Sequence, residues 1–284
     1  MNEQALKDRI KNIANTEHTT FGEVLKRLEL ERFLVRLSRS EYNGVYIFKG
    51  GLLLSWYIDI GRETKDIDFL ASKISADAAT IEHDMKNICA VNIDDGFVFT
   101  FGNIVPLEQP HMNYPGFRVI LDLIIGNNMR DRIQIDIGIG DSVSPETESF
   151  PLTRYKDSFL FEGSVSLQVY PVESIFAEKL ETLISKGAAN SRMKDYHDLY
   201  LLSHTEGLID SKKLIESINK TFKTRDTSLI LPIQFNEEEI SFLQRLWSAH
   251  CRGLGSITTE LKLPLDIIAV ITELNNWLKS HHIG

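Results

Sequence analysis

Cysteine is nearly missing from this chain, with two in 284 residues, Cys89 and Cys251. They lie far apart and show no metal-ligand spacing, so neither a disulfide framework nor a zinc site is expected, and both read as buried free thiols. Long apolar runs are missing too. No stretch approaches the roughly 20 residues that span a bilayer, and the N-terminal segment MNEQALKDRIKNIANTEH is charged where a secretory signal needs an apolar core. A cytoplasmic protein without a membrane partner is the expectation. Positive charge is in deficit, 31 Lys and Arg against 40 Asp and Glu for a net charge of −9, which disfavours nonspecific adhesion to polyanions but permits a local basic groove. Lys179, Lys186, Arg192 and Lys194 form one candidate groove; Lys212, Lys213, Lys220, Lys223 and Arg225 read more simply as a solvated helix face. No GxxxxGK[ST] pattern occurs, which excludes a Walker A loop.

What is present is an ordinary globular composition, 43% apolar and 25% charged, enough to bury one large core or two modest ones. Thr20 followed by Glu23 is a capping-box pattern opening an amphipathic helix through Val24, Leu25, Leu28, Phe33, Leu34 and Leu37. VYIFKGG reads as a strand entering a glycine turn, LLLSWYID as the helix after it, and KDIDFLA (Lys65 to Ala71) as a second strand. A helix is expected from Ser75 to about Ala90, then strands at FVFTFGNIV, FRVILDLIIG and DRIQIDIGIG. Residues 142 to 151 read as loop, and SFLFEG and SLQVYP as short strands. From there the pattern is helical: Glu173 to Lys186 with Gly187 as C-cap, Lys194 to Ser203, Lys212 to Thr221, Glu237 to His250 and Leu265 to His281. The expected fold is α+β, a mixed-sheet domain at 1–165 with N-terminal helices and a mostly helical domain at 166–284.

Three features carry chemistry. Residues two apart in a strand share a face, so Asp66 and Asp68 project together, away from Ile67 and Phe69. Two adjacent carboxylates repel, and a divalent cation relieves the repulsion; Mg²⁺, or Mn²⁺ in its place, suits one or two carboxylates plus substrate phosphates. A lone DxD also arises from alternation in a half-exposed strand. IQIDIG repeats the pattern, with Asp136 opposite in facing to Ile133, Ile135 and Ile137, as a third metal ligand or a proton acceptor. Lys49, Gly50 and Gly51 stand at a strand end that opens a helix, where backbone amides can receive a triphosphate.

KGG (Lys49 to Gly51), RETKDIDF (Arg62 to Phe69), IQIDIGIGD (centred on Gln134 to Asp141) and FAEKLETLISKGAANSRMKDYHDLYLL (Phe176 to Leu202) together resemble the AbiEii/AbiGii toxin family of nucleotidyltransferases. The resemblance covers roughly residues 45 to 202 and matches Lys179, Arg192, Lys194, Asp195 and Asp198 to the family's fourth block. It implies a polymerase-β-like nucleotidyltransferase core joined to a helical domain, and a toxin of a type IV toxin–antitoxin or abortive-infection system with a cognate antitoxin. By the same resemblance Asp66, Asp68, Asp136 and Lys179 are catalytic, and Lys49, Gly50, Gly51, Arg62, Lys179 and Asp195 bind nucleotide. An NTP is then the donor, and RNA such as a tRNA 3′ end is the acceptor implied by some relatives. The wider superfamily's glycine-serine is glycine-glycine here, with Ser55 four residues on, which leaves backbone amides and Lys49 at the turn.

From its position between Phe176, Leu180 and Leu183, Lys179 either snorkels or, if its helix lines the cleft, meets the triphosphate as a point charge. Asp195 is expected to orient Lys179 or bind the acceptor, and Asp198 to pair with Arg192 or Lys194. Nucleotidylation of a protein or small molecule is the competing chemistry, and a non-catalytic nucleotide- or partner-binding module the competing class. Three acids on polar strand faces weigh against the silent module.

Overall fold

The computed structural model describes residues 2–72, 77–107, 116–140 and 143–283. Ser75, Asp141 and Ser142, which enter the readings above, lie outside them. The chain forms two compact units, one of residues 1–53 and 63–170, the other of 54–62 and 171–284. A cut at 165 would fall inside a strand, and a linear division misses the excursion of 54–62 into the second unit.

The first unit opens with α1 (Glu3–Thr16) and α2 (Phe21–Ser38), followed by β1 (Tyr46–Lys49), α3 (Gly50–Tyr57), which leaves the unit after Leu53, β2 (Asp66–Ala71) and α4 (Ala78–Cys89). Then come β3 (Phe97–Leu107), β4 (Gly116–Ile125), β5 (Met129–Ile139), β6 (Glu146–Pro151), the short β7 (Arg154–Tyr155) and β8 (Ser158–Phe159), and β9 (Ser164–Val169). The seven-stranded sheet has the order β3-β4-β5-β2-β1-β9-β6. It is mixed: β2 runs parallel to β5 and β1 to β9, while the other neighbours are antiparallel.

Alternation decides which face is core. Ile67 and Phe69 of β2, Val119, Leu121 and Leu123 of β4, and Ile133, Ile135 and Ile137 of β5 are all buried. Phe33 of α2 packs on this layer, 6.5 Å from Phe69 and 5.8 Å from Phe99 between ring centroids. The opposite face of the same strands carries Asp66, Asp68, Arg118, Gln134 and Asp136, and that face holds the candidate site.

The capping box of α2 forms as the sequence suggests: Glu23 N–H donates to Thr20 Oγ1 at 3.2 Å and Thr20 N–H to Glu23 Oε2 at 2.7 Å. The helix is not a one-faced amphipath, however. Glu29, Glu31, Arg32 and Arg36 are buried along with its apolar residues. Asp95 accepts from Arg32 Nε at 2.8 Å and from Arg36 Nη1 and Nη2 at 2.9 and 2.8 Å, and Arg32 also pairs with Glu162. Residues 146–151 are a strand rather than loop. Polar side chains and a terminal proline hide β6 in the sequence, and both are admissible because it is the outermost strand.

The second unit contains α5 (Val172–Lys186), α6 (Met193–His204), α7 (Ser211–Thr224), α8 (Glu237–Leu254), the single-turn α9 (Ile257–Glu260) and α10 (Ile267–Ser280). Gly187, at φ +52°, ends α5, its N–H donating to the Leu183 carbonyl. The core is built from Phe176, Leu180, Leu199, Leu243, Trp247 and Leu274 with their neighbours. Leu214, Ile218 and Phe222 of α7 recur every four residues on its buried side, which leaves Lys212, Lys213, Lys220 and Lys223 exposed. Cys89 and Cys251 are free thiols, Cys251 buried and Cys89 partly so. No helix among the described residues is long and apolar enough to cross a membrane.

Candidate active site

The parallel pairing of β2 with β5 sets Asp66 beside Gln134 and Asp68 beside Asp136. The antiparallel neighbours extend the second pair in both directions, with Lys49 across from Asp68 and Arg118 across from Asp136. Four adjacent strands thus present Arg118, Asp136, Asp68 and Lys49 in one row, at the roughly 4.8 Å spacing of a sheet. The row has two acids at its centre and a cation at either end. Asp66 lies one pleat along from Asp68 on the same face. The five positions span 88 residues of sequence from Lys49 to Asp136, and only the strand order brings them together.

Gly50 shapes the site more directly than a phosphate turn requires. Its φ is +81°, and a Cβ placed there would lie 1.9 Å from Asp68 Oδ2 and 2.5 Å from its Cγ. The strand end therefore closes onto the Asp68 carboxylate, and glycine is needed to make room for that acid. Gly51 follows in the first turn of α3. The Lys49 ammonium sits 4.7 Å from the centre of the Tyr170 ring.

Asp136 is held by its neighbours on β4 and β5. Arg118 donates from Nε to Oδ1 and from Nη2 to Oδ2, each at 2.8 Å, and Gln134 Nε2 lies 3.3 Å from Oδ1. Hydrogen bonding to Asp136, aided by the charges of Asp136, Asp66 and Asp68, holds Arg118 above the ordinary arginine range. Arg118 is absent from the sequence-based site. Its signal was the lone cation in FRVILDLIIG, on the polar face of the alternation, but only the register shows it opposite Asp136.

Two carboxylates on one strand face fit a divalent cation that completes its shell with water and phosphate oxygens. Both oxygens of Asp136 accept from Arg118, which competes with a metal ion for that carboxylate. Among the described residues no group of three His, Cys, Asp or Glu side chains is disposed to hold a metal ion.

The fourth sequence block gathers in the second unit. Lys179 Nζ lies 3.1 Å from Asp195 Oδ1 and 2.8 Å from Asp198 Oδ2. Arg62 Nη2 donates to both oxygens of Asp198, at 2.9 and 2.7 Å, and Arg192 pairs with Asp195 at 3.4 Å. Asp198 was expected to pair with Arg192 or Lys194; it is instead fully buried between Lys179 and Arg62. Burial disfavours the charge on Lys179, but Asp198 and Asp195 outweigh it and raise its pKa above the usual lysine value. Burial acts likewise against Asp198, and Lys179 and Arg62 override it, keeping that carboxyl below its ordinary range. This is a closed ion network, in which Arg62 and Lys179 are already matched by acids.

The family model of the nucleotidyl transferase AbiEii toxin of type IV toxin–antitoxin systems matches residues 32–263. A crystal structure from H. pylori, presented as that of a candidate nucleotidyltransferase, aligns over 91% of this chain and 94% of its own, at 17% identity and a TM-score of 0.40. No curated protein is matched. With the family model spanning most of its length, the chain belongs to the AbiEii nucleotidyltransferase toxins of type IV toxin–antitoxin systems.

Proposed function

We propose that the chain transfers a nucleotide from an NTP to a hydroxyl of RNA, with a tRNA 3′ end as the favoured acceptor, and that Asp66, Asp68 and Asp136 are its acidic machinery. The observation that carries this reading is the row of register-matched charges, with Gly50 closed onto Asp68. Asp66 and Asp68 would hold Mg²⁺ or Mn²⁺, which when bound offsets the charge of the triphosphate. Lys49 and the turn at Gly50 and Gly51 bind and orient the phosphates. The acceptor oxygen forms a bond to the α-phosphorus as the bond to the bridging oxygen breaks, and pyrophosphate leaves with that electron pair. The hydroxyl proton goes to a carboxylate oxygen of Asp136. Lys179 and Arg62, with Asp195 and Asp198 on them, have in this reading a structural role within the second unit. The cell compartment we assign is the cytoplasm, where NTPs and RNA are found.

The experiment is to incubate the protein with Mg²⁺, each labelled NTP in turn and total cellular RNA, beside Asp66→Asn and Asp68→Asn. One triphosphate should label a discrete RNA band, EDTA and either variant should remove it, and rising salt should weaken it steeply by counterion release. Label on protein or a small molecule instead would overturn the RNA acceptor, and labelling by Asp66→Asn would overturn the site.

A further inference from the structure

Arg118 is held to Asp136 from the open side. Its side chain is 39% exposed and that of Asp136 is 20%, so the guanidinium can leave without stranding a buried cation. Its side-on fork is also the group whose geometry suits the oxygens of a phosphate. The Nε and Nη2 edge cannot hold a phosphate and both oxygens of Asp136 at once. The three neighbouring acids all act on this one cation, so its departure raises the local negative charge.

We infer that Arg118 is a positioning residue with two stations. Without nucleotide it occupies Asp136 and keeps that carboxylate from serving as a ligand or proton acceptor. When a triphosphate arrives, it moves to the phosphate oxygens and releases Asp136. The third acid thus enters the site only with substrate present, which orders assembly of the machinery. This inference rests on the reading that Asp66 and Asp68 hold a divalent cation.

The test uses the full chain, Mn²⁺ alone, and inorganic tripolyphosphate in place of an unidentified NTP. Mn²⁺ binding is followed by electron paramagnetic resonance for wild type, Arg118→Gln, Arg118→Lys and Asp66→Asn, and tripolyphosphate binding by calorimetry without metal. Removing a unit charge at contact distance should tighten Mn²⁺ binding by Arg118→Gln about tenfold or more over wild type. The same variant should bind tripolyphosphate about tenfold more weakly, since it lacks the fork. Arg118→Lys, which keeps charge but not the fork, should fall between. Mn²⁺ and tripolyphosphate affinities of Arg118→Gln within about twofold of wild type would overturn the inference. The parent reading fails by a different signature, Mn²⁺ binding that survives Asp66→Asn unchanged. A gain in Arg118→Gln that survives Asp66→Asn would support the release of Asp136 while removing the paired-acid site.

Discussion

A methyl group at position 50 has no room, because its ideal position is 1.9 Å from an oxygen of Asp68 and the backbone there is left-handed. Gly50→Ala therefore pushes Asp68 aside and adds the roughly 1–2 kcal/mol of the left-handed conformation. Transfer should fall about 100-fold, as expected for a catalytic group misplaced by about 1 Å, while the melting temperature drops only modestly. Near-normal turnover in that variant would mean that the position of Asp68 is immaterial. Lys179 makes the opposite prediction, chiefly about stability. Lys179→Met leaves Asp195 and Asp198, both buried, short of a cation, and should cost about 3–5 kcal/mol, read by urea unfolding. A loss under about 1 kcal/mol would show that the network tolerates a missing member. The sequence made Asp66, Asp68 and Asp136 legible because alternation alone assigns them to polar faces. It hid Arg118 and the partners of Asp198, since neither cross-strand register nor a contact across 136 residues leaves a local trace.

Helices with regular apolar spacing were readable to within a few residues: the expected 173–186, 194–203 and 237–250 appear as α5, α6 and a longer α8. What failed at this scale was α2, where Glu29, Arg32 and Arg36 look like a surface in sequence but are buried in ion pairs. That pairing predicts that Asp95→Ala, which leaves the buried Arg36 without a carboxylate and Arg32 with Glu162 alone, destabilises the fold by about 3–5 kcal/mol in denaturant titration; a cost near zero would show the pairs to be incidental. A second prediction concerns α6 and α8, which face His197 Nδ1 to His250 Nε2 at 2.9 Å. Burial pushes His197 down to about 4, against the pull of Asp198 and with help from His250, Arg62 and Lys179. Burial, then Arg62, lowers His250 as well. The unfolded chain takes up the His197 proton near pH 6.5 and the folded chain only near pH 4, so this part of the stability is whole above the first value and falls between them. For His197 the loss approaches the order of 3 kcal/mol at the acid end. The depressed Asp198 adds its own loss at still lower pH. Melting temperatures taken from about pH 7 to about pH 4.5 should decline, and more gently in His197→Gln; equal slopes would remove the histidine from the account.

At the scale of the whole molecule, charge and family membership meet. A chain with a net charge of −9 does not arrest a cell by coating its nucleic acids. We expect toxicity to come from turnover, in which a few molecules modify many targets. Lys179 is buried in its ion network, so any RNA contact in its neighbourhood falls to Lys186, Arg192 and Lys194, of which Arg192 and Lys194 are exposed. Membership in the AbiEii toxins adds that the chain is the toxin half of a type IV toxin–antitoxin pair. The prediction is that expression of the wild-type chain alone arrests growth, and that the separately encoded antitoxin relieves the arrest. Asp66→Asn, at matched abundance, should leave growth unaffected, since it removes a carboxylate from a half-exposed strand position without disturbing the buried face of β2. Colony counts after induction, with protein levels followed in parallel, decide the matter: arrest that persists in Asp66→Asn would separate toxicity from nucleotidyl transfer and turn attention to binding.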